Sequence, residues 1–222
     1  MTVLAPERLP AAPRLRLPPE VRMRQILDAA QQEFAERGFA ATRMDDIARR
    51  CGLSKGGLYA HFASKDEVFE ALLSRSLTLP DLQDLPSLGG ASTARGVAEW
   101  LVEQVEACLH QPGTAATFRL LVAESERVPH LVRQWQQQVL EPHQRLLAES
   151  LALAAAHLGC ANSLLVRHPW LAMAPALHTL VTQLLFGKGA RDVPSASADI
   201  ARNGYVEMLT VLLATPANIE RM

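Results

Sequence analysis

From Glu20 onward, apolar residues recur at helical spacing. Met23, Ile26, Leu27, Ala30 and Phe34 share one face, and Gly38 follows Glu36 and Arg37 as a stop signal. Thr42 stands where it can cap a second helix, with Asp45 three residues on and Ile47 and Ala48 facing inward. Gly52 ends that helix after about two turns. Ser54 caps a short third helix with Leu58 and Phe62 on its inner side. Ser64-Lys65-Asp66-Glu67 is a full capping box for a fourth helix, with Val68, Phe69, Leu72 and Leu73 on one face. Helix, tight glycine-containing turn, helix is the helix-turn-helix arrangement. Its second helix, within GLSKGGLYAHF, carries Gly56 and Gly57 in the first turn, and each glycine costs roughly 1 kcal/mol relative to alanine.

The stretch from Leu79-Pro80 to Gly89-Gly90-Ala91-Ser92 reads as a linker or irregular loop. Helical patterns follow to the end of the chain. Trp100, Leu101, Val105 and Cys108 mark one helix, which Pro112-Gly113 ends, and Phe118, Leu121 and Val122 mark the next. A long helix is predicted from about Pro129 to Leu158, with Pro142 inside it as a kink site. Leu177, Val181, Leu184 and Leu185 form an apolar stripe, and Ile200, Tyr205, Leu209, Leu212 and Leu213 form another. No stretch alternates with period two, so the predicted fold is all-α. The most apolar segment, Pro169 to Gly187, contains Pro175, His178, Thr182 and Gln183 and reads as a buried helix, not a membrane span.

Composition adds little until it is split along the chain. Net charge is −1 over 222 residues. Residues 1–65 hold eleven Lys and Arg against seven Asp and Glu, whereas the remainder holds eleven against sixteen. A polyanion would therefore bind the front. Residues 1–19 contain five of the 14 prolines, with Arg8, Arg14 and Arg16, and read as a flexible basic arm. Cys51, Cys108 and Cys160 form no CxxC pair, and the histidines show no ligand spacing, so neither metal nor cofactor is expected. The odd cysteine count and the lack of a signal peptide fit a cytoplasmic protein. There is no nucleophile with its base, no pair of catalytic carboxylates and no glycine-rich phosphate loop, which argues against an enzyme. Glu124 and Glu126, and Glu141 with His143, read as solvated faces.

Residues 22–73 carry a dense set of motifs: A-x-x-x-F, E-R-G-F, T-x-x-x-D-I-A, G-L-S-K-G, L-Y-x-H-F and S-K-D-E. In these the chain resembles the DNA-binding region of the TetR family of bacterial transcriptional regulators. The fragment LLVAESERVPHL, residues 120–131, is similar to a stretch common in that family's larger domain. The resemblance implies a helix-turn-helix domain over 20–65 and a helical effector-binding and dimerisation domain over 66–222. It implies a homodimer whose terminal helices pack together, through Leu177, Val181, Leu184, Leu185, Tyr205, Leu209 and Leu212. The two amino-terminal domains would sit in successive major grooves of double-stranded operator DNA.

Site residues follow from the resemblance by position. Gly56 and Gly57 would let the backbone approach the DNA closely, and Lys55 would read guanine. Ala60 would meet a thymine methyl group. Tyr59, His61 and Lys65 match phosphate-binding positions, and Thr42 and Arg43 lie where the start of the second helix can hold phosphate. A small-molecule effector, hydrophobic or amphipathic, would occupy a pocket whose candidate lining is Trp100, Gln104, Cys108, Phe118, Trp135, His143, Trp170 and His178. The expected function is a dimeric, ligand-released repressor. The alternative is a helical protein-interaction module whose helix-turn-helix has lost DNA affinity.

Overall fold

A computed structural model describes residues 18–77, 79–88, 93–186 and 195–215. The predicted arm, apart from Pro18 and Pro19, and the run Gly89 to Ser92 lie outside the described residues. Twelve α-helices are described: α1 (Pro19–Ala41), α2 (Met44–Arg50), α3 (Lys55–Tyr59), α4 (Lys65–Ser76), α5 (Leu85–Leu88), α6 (Ala94–Leu109), α7 (Thr114–Glu124), α8 (Pro129–Trp135), α9 (Glu141–His157), α10 (Leu164–Arg167), α11 (Ala174–Phe186) and α12 (Ser195–Ala214). Among the described residues there is no strand. Pro19 is the first residue of α1, where a missing N–H costs nothing.

Two hydrophobic cores organise these helices. The first joins α1 to α4 with α7 and the start of α8. At its centre the Phe34, Phe39 and Phe69 rings lie 5.1–5.8 Å apart. The second joins α5, α6, α9, α10 and α12. The first core takes in α4, which the sequence reading assigned to the larger domain, and also α7 and the start of α8. Val68, Phe69, Leu72 and Leu73 of α4 are completely buried against the amino-terminal helices.

The stop at Gly38 is a break inside α1. Gly38 has φ +77°, which only glycine adopts cheaply, and the chain then makes one more short helical stretch to Ala41. A broken helix leaves backbone groups without partners, and two distant side chains supply them. Glu124, at the end of α7, accepts a hydrogen bond from Phe39 N–H at 3.2 Å. Lys65, at the start of α4, donates to the carbonyls of Phe39, Thr42 and Ala40 at 2.5, 2.9 and 3.3 Å, and its ammonium lies 4.4 Å from the Phe39 ring centre. Partial burial holds the Lys65 ammonium below the usual lysine range. Glu124 is thus buried, not solvated as its sequence context had suggested, and it also pairs with Arg127.

Two further readings change. The segment after Pro80 is anchored: Leu82 and Leu85 are buried in the second core, and α5 packs on α9. The long helix predicted through Pro142 is continuous but contains a π-helical turn, Gln136–Leu140, that ends two residues before the proline. Proline removes one N–H and clashes with the carbonyl four residues back. The wider π turn places that conflict where the α-helical ladder is already interrupted.

Two outcomes follow. Leu85→Ala should destabilise the protein by about 2–5 kcal/mol in urea unfolding, where a linker position would change it by less than about 0.5 kcal/mol. Lys65→Met should lower unfolding stability by about 2 kcal/mol, since the carbonyls at the break lose a charged donor. A Lys65→Met protein of unchanged stability would contradict this role.

Candidate functional site

The helix-turn-helix is built from α2 and α3 against α1. Two ion-paired arginines tie α2 to α1: Arg50 reaches Glu33 at 2.7 Å and also pairs with Glu36, and Arg37 bridges Glu33 at 3.2 Å and Asp46 at 3.6 Å. The Arg50 guanidinium holds the Glu36 carboxyl below the usual range. The cap of α2 lies one residue later than the sequence suggested. Arg43 is the N-cap, and its N–H donates to Asp46 at 3.1 Å, which holds Asp46 in its charged form.

Two of the residues proposed for phosphate have side-chain partners within the chain. Thr42 is buried, and its hydroxyl donates to the carbonyls of Gly38 and Glu33 at 2.8 and 3.1 Å. Its side chain is held inside the fold. Lys65 is likewise committed to the carbonyls at the α1 break. Arg43 keeps an exposed side chain, although its amide is engaged.

On α3, Leu58 is completely buried and Phe62 nearly so, and these anchor the helix. Lys55, Gly56, Tyr59, Ala60 and His61 remain exposed, with Tyr59 at 44% despite its aromatic ring. Ser54 caps the helix by accepting from Gly57 N–H at 3.1 Å. The paired glycines separate at this point. A methyl group on Gly57 would lie 3.2 Å from Ser54 Oγ and crowd the cap, so Gly57 has a reason within the chain. A methyl group on Gly56 would meet nothing within 4 Å. Nothing in the packing of the chain demands glycine there. In the free protein Lys55 Nζ sits 3.2 Å from Asp45 of α2, an exposed pair.

A cavity of about 270 Å³ lies where the two cores meet. It is walled by the end of α4 and the segment after it, by α6 and α7, by the α8–π turn, and by α11. Of the predicted lining residues, Cys108, Phe118 and Trp135 border it. The other five do not. Trp170 is 59% exposed, and Trp100 packs on the second core. His178 bonds Tyr205 at 2.5 Å, joining α11 to α12. Gln104 and His143 are half-buried away from the lining. Among the lining residues missed by sequence reasoning were Leu79 and Pro80, because that stretch read as a linker, and Leu77, Thr114, Leu140, Met173 and Leu180.

Polar contacts join this cavity region to the helix-turn-helix. The Thr114 hydroxyl donates to Ser76 O at 2.9 Å, at the end of α4, and to Cys108 O at 3.2 Å. Gln31 of α1 donates to Thr117 Oγ1 at 2.8 Å and to Gly113 O at 3.1 Å. Together with Glu124 these place α7 between the cavity and α1.

The terminal helices leave apolar side chains uncovered. Leu177, Val181, Leu185 and Phe186 on α11 are exposed, as are Ile200 and Val211 on α12. Leu184, Tyr205 and Leu212 are half-buried. Leu209 is completely buried on the second core, so it belongs to the interior of one chain and not to a surface between two. Ile200 and Val211 stand eleven residues apart, about three helical turns, a spacing the sequence already contained.

Comparison with known proteins agrees with this arrangement. A family model described as bacterial regulatory proteins, tetR family, matches residues 26–72. A second, AefR-like transcriptional repressor, C-terminal domain, matches residues 99–209. The transcriptional activator FasR of Mycolicibacterium smegmatis is 50% identical over 60 residues, 27% of each protein, so the match spans about a quarter of that relative. The regulator TtgW of Pseudomonas putida is 31% identical over 103 residues, 46% of this chain and 73% of the relative. In fold, the chain is similar to MexZ, described as a repressor responsible for antibiotic resistance in Pseudomonas aeruginosa, with a TM-score of 0.61 at 22% identity over 86% of this chain and 95% of MexZ. Salmonella enterica GusR gives a TM-score of 0.59 at 24% identity, over 89% of this chain and 97% of GusR. With family models covering both its helix-turn-helix and its larger helical region, the chain belongs to the TetR family of bacterial transcriptional regulators.

Proposed function

We propose that the protein is a sequence-specific DNA-binding repressor, active as a homodimer and released from its operator by a small apolar ligand. The observation that carries the DNA-binding reading is α3. Its inner residues are fully packed, while Lys55, Gly56, Tyr59, Ala60 and His61 face outward with no intramolecular need for glycine at 56. A bare backbone at that point allows the helix to come close to base edges and phosphates. Tyr59, His61 and Arg43 are suited to position the protein on phosphates, and Lys55 to read guanine once it leaves Asp45.

The apolar side chains on α11 and α12 support pairing with a second copy. Leu177, Val181, Leu184, Leu185, Tyr205 and Leu212 remain the proposed interface, joined by Phe186, Ile200 and Val211. The apolar cavity supports an effector role, and α7 supports a route from it to the DNA-binding helices. Thr114 and Phe118 border the cavity, while Thr117 and Glu124 of the same helix hold α1. A ligand that displaces α7 would alter the seating of α1, and with it the spacing of two recognition helices. Repression is favoured by the AefR-like repressor match and by relatives such as the repressor KstR2 of Mycobacterium tuberculosis.

The test is binding of the purified protein to the DNA flanking its own gene, titrated against salt, with random duplex of equal length as control. Salt-dependent binding at least a hundredfold tighter to the flanking DNA is expected. Equal, weak binding to both would favour a protein-interaction module instead. Gly56→Ala should raise thermal stability slightly and yet weaken operator binding; unchanged binding would remove close approach as the reason for this glycine. Tyr59→Phe should weaken binding to all sequences alike and flatten the salt slope, whereas Lys55→Ala should also relax preference at one position per half-site.

A further inference from the structure

One ion pair joins the exposed starts of the two helices of the helix-turn-helix. The other acidic side chains around α2 serve the domain itself: Glu33, Glu36 and Asp46 each pair with arginines of α1 or α2. Asp45, in the first turn of α2, reaches across to α3. Its two carboxylate oxygens lie 3.2 and 3.3 Å from Nζ of Lys55, the first residue of α3, and both side chains are more than half exposed. An exposed pair of this kind contributes little to folding stability.

On a surface that meets DNA a carboxylate is a liability. Duplex DNA is a polyanion, and a negative charge near its phosphates opposes binding to every sequence alike. When Lys55 turns from Asp45 to guanine, the carboxylate loses its cation and must find a donor or stay unpaired. The two side chains have opposite requirements, since the ammonium only donates and the carboxylate only accepts. Lysine alone discriminates weakly, because its flexible ammonium can reach an acceptor on guanine, adenine or thymine. Lysine and aspartate together require an acceptor with a donor beside it. A G·C pair supplies both in the major groove. Guanine offers O6 and N7 as acceptors, and cytosine N4, which already bonds O6 across the pair, has a second hydrogen to give. The base groups are one hydrogen bond apart, about 2.7–3.2 Å. The Lys55 ammonium and the Asp45 oxygens are spaced alike.

We infer that Asp45 and Lys55 read one G·C base pair together, Lys55 donating to guanine and Asp45 accepting from N4 of its cytosine. This rests on the reading of α3 as the recognition helix. Asp45 is then a specificity-determining residue: it lowers affinity for DNA in general and restores it where cytosine answers the carboxylate. Discrimination of this kind comes as much from the penalty on wrong partners as from the contact to the right one.

The test is selection of bound duplexes from a randomised pool by the full-length protein, by Asp45→Ala and by Lys55→Ala, with affinity for unselected duplex measured in parallel. The wild-type protein should select G·C at one position per half-site. Asp45→Ala should lose roughly five- to tenfold of the discrimination at that position, the lower end of what a base contact is worth. It should nevertheless bind unselected duplex more tightly, which also shows that the variant is folded. Lys55→Ala should relax the same position and no other. Unchanged base preferences in Asp45→Ala, with affinity raised for every duplex alike, would overturn the inference and leave an ordinary surface ion pair. So would a loss at a different position from that of Lys55→Ala. A wild-type protein that selects no sequence would overturn the inference together with the recognition-helix reading beneath it.

Discussion

The tie between the amino-terminal helices and the body that most constrains the chain is the one that satisfies the backbone around Gly38. A helix broken at a left-handed glycine exposes an N–H and several carbonyls in a place that is otherwise closely packed. Backbone groups buried without partners are expensive, so the break is tolerable only with donors and acceptors from elsewhere. The acceptor is Glu124, from the body; the donor is Lys65, from the head of α4. These two side chains converge on neighbouring peptide units. In doing so they tie α1, α4 and α7 together around the Phe34, Phe39 and Phe69 cluster.

That constraint bears directly on the proposed ligand response. If the DNA-binding helices hung on a loose linker, an event in the cavity would have nothing to push against. Here α7 belongs to both regions, bordering the cavity through Thr114 and Phe118 and holding α1 through Thr117 and Glu124. Thr114 also bonds the end of α4. A rigid element with contacts at both ends is what coupling between two sites requires.

Local patterns in the sequence showed most of the helices but not these ties. Ser64 and Glu67 announce the start of α4, and the structure has both bonds, Ser64 accepting from Glu67 N–H and Glu67 from Ala63 N–H. Gly38 announced a stop, and a stop is there. What could not be read locally was the destination of side chains. Lys65 opens a helix at a position for which the family resemblance implies a phosphate contact, and only the fold shows three carbonyls within its reach. Thr42 looked like a cap, yet Arg43 holds that position because the hydroxyl turns inward. Leu82 and Leu85 sit among prolines and glycines, and their burial depends on α6 and α9, remote in sequence. On α12 the apolar stripe was legible, but a stripe does not say which residues its own chain covers; Leu209 faces the core and Val211 faces out.

The most direct measurement of this account is amide hydrogen exchange at Phe39, in the wild-type protein and in Glu124→Ala. The N–H of Phe39 has its acceptor on a helix 85 residues away. If the body holds the break as described, this amide is protected in the wild-type protein as strongly as its helical neighbours, and exchanges faster in the variant. Exchange at the rate of an open loop in the wild-type protein, or protection unchanged by Glu124→Ala, would mean that the body does not hold the DNA-binding helices in this way.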